Sequence, residues 1–376
     1  MPGSYGRIME SHKTCSDTKN IGYGDGMTFT FGIYPGGLLG DDSGVLAPVR
    51  PDDPALITAA LRELQGGAGE FLVRAYRSCG DPGCAPERPE QYAVEGRRLD
   101  LVLQYRDRSG ELAGWLDFVR ETVRTEGHRV ALLQICEEPN LDLPPVDGSI
   151  PDVRRALVAG VVAAKEEALA RGYDELAVGF NAVPSFDPAD TFWSELGELA
   201  DERFHRALDY VGLDFFPDVF RPVPPGQLTD AVRAVVTSFR RDWLPRAGIG
   251  AAVPLRVCEN GWPTGPGRSE ARQAEVVEEV VRTVAGLAAE LAVTGYAFFA
   301  LRDADSAGAG LFHHFGLLRD DYSRKPAFDT YRKLVAELTE LTEPAEPAGP
   351  TEPSATSGPT EPSATAETSE PACREG

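Results

Sequence analysis

Two apolar runs of the chain end in glutamates, and residues typical of tight turns follow both. Residues 136–140 read CEEPN, and residues 258–264 read CENGWPT. If the two runs lie near each other in the fold, one carboxyl group can protonate a leaving oxygen while the other, ionised, attacks carbon. Cleavage of a glycosidic bond uses such a pair of carboxyl groups. A single glutamate of this kind would more simply be a solvated loop residue, but Glu138 and Glu259 together favour a catalytic pair.

Eight short apolar runs predict the β-strands that would position these glutamates. The runs recur roughly every 30 to 45 residues, which is the spacing of a strand, a helix and their loops. They are nearly continuous rather than alternating, as is typical of strands covered on both faces. They span residues 28–34, 71–76, 100–105, 130–136, 175–181, 210–216, 254–259 and 295–301.

Helix start and stop signals lie between the strand-like runs. Asp53 and Pro54 precede a helical pattern that stops at Gly66, and Ser269 precedes another. Eight strand–helix units in one domain predict an α/β fold, specifically a (β/α)8 TIM barrel. A doubly wound open sheet is the alternative, but the glycines after the first run lack the spacing of a phosphate-binding loop.

The barrel prediction brings polar and aromatic residues to one end of the fold, because functional side chains project from the carboxyl ends of barrel strands. Glu138 then follows the fourth strand, and Glu259 ends the seventh. Trp262 is either a platform for a sugar ring or a cap over the barrel mouth. Asp303 either binds hydroxyl groups or is a solvated loop residue. The candidate substrate-binding residues are Arg74, Glu137, Asn140, Asn181, Trp262, Phe299 and Asp303.

The two glutamate segments resemble known catalytic motifs. EPN at residues 138–140 and ENGWPT at 259–264 are similar to the acid/base and nucleophile motifs of clan A retaining glycoside hydrolases. These families are (β/α)8 barrels with catalytic glutamates on strands 4 and 7, and the second segment is most similar to cellulase-like and endo-1,3-β-glucanase-like members. The resemblance covers residues 27–341.

The resemblance implies a glycosidase that retains anomeric configuration by double displacement. Glu259 would be the nucleophile, hydrogen-bonded by Arg74, and Glu138 would be the acid and then the base. The substrate would be a carbohydrate or another glycoside, and no metal ion or organic cofactor is needed.

Three positions depart from that family. Glu137 stands where the family has an asparagine that binds the sugar 2-hydroxyl, Phe216 where it often has a tyrosine touching the nucleophile, and Phe299 where it commonly has a tryptophan floor. We expect Glu137 to face the site and to help keep Glu138 protonated, although strand alternation could instead turn it away. These changes leave an alternative open, a non-catalytic barrel that binds a carbohydrate or a protein partner.

Composition narrows the classes of partner and the compartment. The chain of 376 residues has 59 acidic and 37 basic residues, for a net charge of −22. Such a charge repels phosphate backbones and anionic lipids, which argues against nucleic acid and membrane surfaces as partners. The first residues contain no apolar run of signal-peptide length, so we expect a cytoplasmic protein. Oligomeric state has no signal in the sequence.

The two ends of the chain differ from its middle. Residues 1–26 are polar and glycine-rich without periodicity, and residues 342–376 are rich in proline, glutamate, threonine and serine. Neither segment can bury enough apolar surface to offset the entropy of ordering. We therefore expect a single catalytic barrel, residues 27–341, between a disordered N-terminal segment and a disordered tail.

Overall fold

A computed structural model describes residues 29–37, 49–80, 84–144 and 146–340. Each of the eight apolar runs overlaps a strand, and each of these eight strands pairs in parallel with its neighbours along the chain. Because the first of them pairs with both the second and the eighth, the sheet closes into a barrel, which confirms the predicted fold. The strands are β1 Thr30–Ile33, β2 Phe71–Cys79, β3 Arg97–Tyr105, β4 Val130–Ile135, β5 Ala177–Ala182, β6 Tyr210–Asp214, β7 Leu255–Asn260 and β8 Val293–Phe298. The predicted disordered segments, 1–26 and 342–376, lie outside the described residues.

Helices surround the barrel and begin and end at the expected signals. The Asp53 side chain accepts hydrogen bonds from the first turn of the helix Pro54–Gln65, and Gly172 ends the helix Val153–Arg171 in a left-handed conformation with φ 73°. The helices are α1 Pro54–Gln65, α2 Leu112–Glu126, α3 Val153–Arg171, α4 Phe192–Leu199, α5 Glu202–Ala207, α6 Leu228–Ser238, α7 Glu270–Gly286, α8 Ala288–Leu291 and α9 Pro326–Glu340. Among the described residues, no helix is long and apolar enough to cross a membrane.

One connection departs from eight regular strand–helix units. Between β2 and β3, the described residues contain a two-residue strand, Cys84–Ala85, which pairs antiparallel with β2, and a short 3-10 helix at Pro89–Gln91. The segment is rich in proline, which has no backbone N–H and breaks helix interiors. The prediction of a helix in every unit is therefore wrong at this connection.

The barrel has an apolar layer outside its strands and a polar interior near their carboxyl ends. Trp115 of α2 is fully buried, and its Nε1 donates to the carbonyl oxygen of Ala156 in α3 at 2.9 Å. Gly160 lets α3 approach closely, because a Cβ there would lie 2.8 Å from Ile135 of β4. The polar interior is formed by Arg74, Asp100, Gln134, Asn181 and Asp214, all of them buried.

Candidate active site

The guanidinium of Arg74 lies at the centre of the polar interior and is almost fully buried. Its Nε donates to Glu259 Oε1 at 3.1 Å, as the resemblance implies. Its other nitrogens donate to Asp100 Oδ2 and Gln134 Oε1, both at 3.0 Å. A buried guanidinium is stable only when its charge and donors are matched in this way. Arg74, which projects from β2, therefore ties the end of β7 to β3 and β4.

Tyr76 is a site residue that our sequence analysis did not assign. Its hydroxyl group forms a hydrogen bond with Glu259 Oε1 and accepts one from Arg74 Nε at 2.7 Å. Burial raises the pKa of Tyr76 well above its ordinary value, so the hydroxyl is the donor to Glu259. Phe216 cannot make this contact because it has no hydroxyl. The available signal was strand alternation, which places Tyr76 on the same face of β2 as Arg74.

Glu137 faces the interior, as expected, because the backbone departs from strand geometry on both sides of it. Cys136 and Glu138 have left-handed conformations, with φ of 66° and 43°. The Glu137 carboxyl accepts a hydrogen bond from Gln134 Nε2 at 3.0 Å and lies 3.8 Å from Arg74 Nη2. Left-handed conformations at Cys136 and Glu138 therefore accompany an inward Glu137 carboxyl, which regular strand alternation would not predict.

Burial and mutual repulsion raise the pKa values of several of these carboxyl groups. Burial, followed by the charge of Glu259, raises the pKa of Glu138 to about 8. The same two causes raise the pKa values of Glu137 and Asp214 well above their ordinary values. The charge of Glu137 is not among the causes that raise the pKa of Glu138, so the expectation that Glu137 keeps Glu138 protonated is not supported. Burial and Glu259 have that effect instead.

Three carboxyl groups of the interior have the spacing of a cation site. One oxygen each from Glu137, Asp214 and Glu259 lie within 4.8 Å of one another. Oxygen ligands of this kind suit hard divalent cations. However, the Arg74 guanidinium lies within 4.0 Å of all three carboxyl groups. Its positive charge already balances the group and would repel a metal ion.

The side chains of Asn181 and Asn140 form hydrogen bonds within the protein. The Asn181 side chain accepts the Glu138 N–H at 2.8 Å and donates to Asp214. The Asn140 amide forms hydrogen bonds of 2.9 and 3.0 Å with the backbone of Val183. Their polar atoms are therefore engaged within the protein, and the structure does not support their assignment as substrate-binding residues.

Trp262 and Asp303 are buried, so the structure does not support substrate contact for them either. Trp262 is 4% exposed and lies beneath the guanidinium of Arg268, at 4.6 Å from the ring centroid. It is part of the packing around the mouth rather than a platform. Asp303 is 1% exposed and forms a 2.6 Å ion pair with Lys325. This ion pair holds the loop after β8 to the start of α9.

Phe299 belongs to an aromatic surface that continues outward from the site. Its ring stacks on Tyr34, with 5.2 Å between centroids, and contacts Phe216 at 6.3 Å. Phe216 in turn contacts Phe220, which is 56% exposed. Aromatic faces pack well against the apolar faces of sugar rings. Phe299 therefore remains a candidate for substrate binding, and Phe220 is a further one that the sequence did not indicate.

Comparison with models of protein families finds no match, and comparison with curated protein sequences finds no similar one. Comparison with solved structures does find similar folds. The apo structure of beta-glucosidase 1317 has 16% sequence identity and a TM-score of 0.50, and the match covers 75% of this chain and 87% of that one. The family 1 β-glucosidase from Thermotoga maritima has 12% identity and a TM-score of 0.56, over 85% of this chain and 99% of that one.

A third similar structure is larger than this chain. The family 39 glycoside hydrolase from the gut symbiont Bacteroides cellulosilyticus WH2 has 16% identity and a TM-score of 0.52, over 83% of this chain and 64% of that one. All three neighbours are named as glycosidases. At these identities the similarity shows the fold alone, and it agrees with the predicted (β/α)8 barrel.

Proposed function

We propose that the protein is a retaining glycosidase that uses Glu259 as nucleophile and Glu138 as acid/base. The observation that carries the proposal is the different surroundings of the two carboxyl groups. Glu259 accepts hydrogen bonds from Arg74 and Tyr76, which orient its carboxyl group. Burial raises the pKa of Glu138 to about 8, which favours its neutral form. The double displacement requires one nucleophile and one proton donor, and these surroundings suit Glu259 to the first role and Glu138 to the second.

The reaction follows from the roles of the two carboxyl groups. Glu259 attacks the anomeric carbon as the bond to the leaving oxygen breaks, and Glu138 transfers its proton to that oxygen. Glu138 is then a carboxylate and accepts a proton from water, whose oxygen attacks the same carbon. The bond to Glu259 breaks, which restores both residues. Arg74 and Tyr76 orient Glu259 Oε1 through their hydrogen bonds to it.

The proposal includes a carbohydrate or glycoside as the substrate and the cytoplasm as the compartment. The net charge of −22 supports a substrate other than nucleic acid or anionic lipid. The aromatic surface around Phe299 and Phe220 supports binding of sugar rings.

A screen with aryl glycosides of several sugars tests the activity. We expect at least one to be hydrolysed, and proton NMR should show that the first product keeps the anomeric configuration of the substrate. Retention requires carboxyl groups about 5–5.5 Å apart, whereas inversion requires a wider separation that admits water. An inverted product would contradict the assigned roles. Binding of sugars without hydrolysis would favour the non-catalytic alternative.

Activity should fall as pH rises through about 8, because the deprotonated form of Glu138 cannot act as an acid and its pKa lies there. The measurement is kcat/KM against pH for a glycoside with a poor leaving group, which reports groups of the free enzyme. Glu137→Gln is the matched variant, because it replaces the Glu137 carboxyl group with an amide that has the same size and cannot ionise. A basic limb that moved to lower pH in Glu137→Gln would show that charge on Glu137 does keep Glu138 protonated.

A further inference from the structure

Hydrogen bonds attach the loop after β4 to the backbone of Glu137, the residue before Glu138. Asp147 begins a short 3-10 helix, Asp147–Ser149, and its side chain is fully buried. Its Oδ2 accepts the N–H of Glu137 at 2.8 Å, and its own N–H donates to the carbonyl oxygen of Glu137 at 2.9 Å. The same Oδ2 accepts the N–H of Tyr105, at the end of β3, at 2.8 Å. Asp147 therefore both accepts a hydrogen bond from the Glu137 backbone and donates one to it, and it links the ends of β3 and β4.

These bonds replace the sheet ladder where it ends. The N–H of Cys136 still donates to Leu103 of β3, at 2.9 Å. The next two N–H groups, those of Glu137 and Glu138, donate instead to the side chains of Asp147 and Asn181. The ladder cannot continue because Cys136 and Glu138 are left-handed. Conformations of this kind are unfavourable for residues with a side chain and persist only where surrounding contacts hold them.

The loop is built so that Asp147 reaches this position. A Cβ at Gly148 would lie 2.3 Å from the carbonyl oxygen of Leu141, so only glycine lets the loop fold back this tightly. Arg106 Nη1 lies 3.3 Å from Asp147 Oδ1 and partly balances the buried charge. The contacts of Asp147 are therefore specific to its carboxyl group and do not depend on apolar packing.

We propose that Asp147 is a positioning residue for Glu138, holding the left-handed turn that aims the acid/base at the leaving oxygen. The proposal rests on the proposed function, since it assigns Glu138 the acid role. Glu259 is instead oriented by direct hydrogen bonds from Arg74 and Tyr76, which project from β2. Loss of the Asp147 carboxyl should therefore impair proton donation while leaving nucleophilic attack intact.

Leaving groups separate these two effects. In Asp147→Ala, kcat/KM for a glycoside with a poor leaving group should fall about 100-fold or more, the range that a general acid contributes. For the 2,4-dinitrophenyl glycoside of the same sugar, whose leaving oxygen needs no proton, kcat/KM should stay within about threefold of the wild type. Asp147→Asn keeps an oxygen that can accept both N–H bonds, so it should recover most of the lost activity.

Asp209 provides the matched control. Its Oδ2 accepts the N–H of Val178 at 2.8 Å, and its N–H donates to the Val178 carbonyl at 2.8 Å, the same two-way contact. Val178 lies at the start of β5, at the barrel end opposite the site. Asp209→Ala should therefore leave the ratio of the two kcat/KM values unchanged, even if it lowers the melting temperature.

The outcomes distinguish the two proposals. If the wild type hydrolyses no glycoside, the proposed function is wrong. If the wild type is active and Asp147→Ala slows both substrates equally, or neither, Asp147 does not position Glu138 and the inference is overturned. Should Asp147→Ala give no folded protein, Asp147→Glu keeps the charge but moves the carboxyl by one methylene, and the same selective loss for the poor leaving group is expected.

Discussion

Glu259→Ala should lower turnover of any hydrolysed glycoside by at least about 10⁴-fold, because loss of a nucleophile removes the covalent route. The alanine side chain leaves space next to the anomeric carbon. Azide should therefore restore cleavage of a substrate with a good leaving group, and the glycosyl azide should have the configuration opposite to that of the substrate. Rates are measured by release of the phenol, and the product by NMR.

Glu138→Ala is the matched variant for this experiment. It removes the other carboxyl group but keeps Glu259, so a covalent intermediate still forms from a substrate with a good leaving group. Azide then attacks that intermediate, and the glycosyl azide should keep the configuration of the substrate. Opposite configurations from the two variants would support both roles. Wild-type activity in Glu259→Ala, or the same azide product from both variants, would contradict the assignments.

Arg74→Met should cause the largest loss of stability of any single substitution in the site. The variant leaves the Asp100 and Glu259 carboxyl groups buried without their counter-charge, and breaking a buried ion pair in this way costs about 3–5 kcal/mol. The free energy of unfolding is measured by urea titration.

Arg62→Met is the control for this measurement. Arg62 pairs with Glu95, but both side chains are largely exposed, so water replaces the partner when it is lost. Its urea midpoint should stay near that of the wild type. An equally small change in Arg74→Met would mean that the buried network contributes little to stability, and the role of Arg74 would be limited to orienting Glu259.

The sequence by itself determined the architecture and indicated the two candidate catalytic glutamates. The eight strands were predictable because continuous apolar runs, separated by helical patterns, are a local signal that burial on both faces imposes. Glu138 and Glu259 could be proposed as a pair because barrel topology brings the carboxyl ends of all strands to one mouth. Arg74 followed from the family resemblance, and its contact with Glu259 is as implied.

Only the tertiary structure decided what surrounds that pair. The hydrogen bond between Tyr76 and Glu259 joins residues 183 positions apart, so alternation along β2 indicates the direction of Tyr76 but not its partner. The inward position of Glu137 depends on left-handed residues at 136 and 138, which alternation along a strand would not predict. Trp262 and Asp303 looked available to a substrate but are buried by Arg268 and Lys325. Local periodicity indicates which residues become buried. The direction and partner of a side chain depend instead on contacts that form only when distant segments pack together.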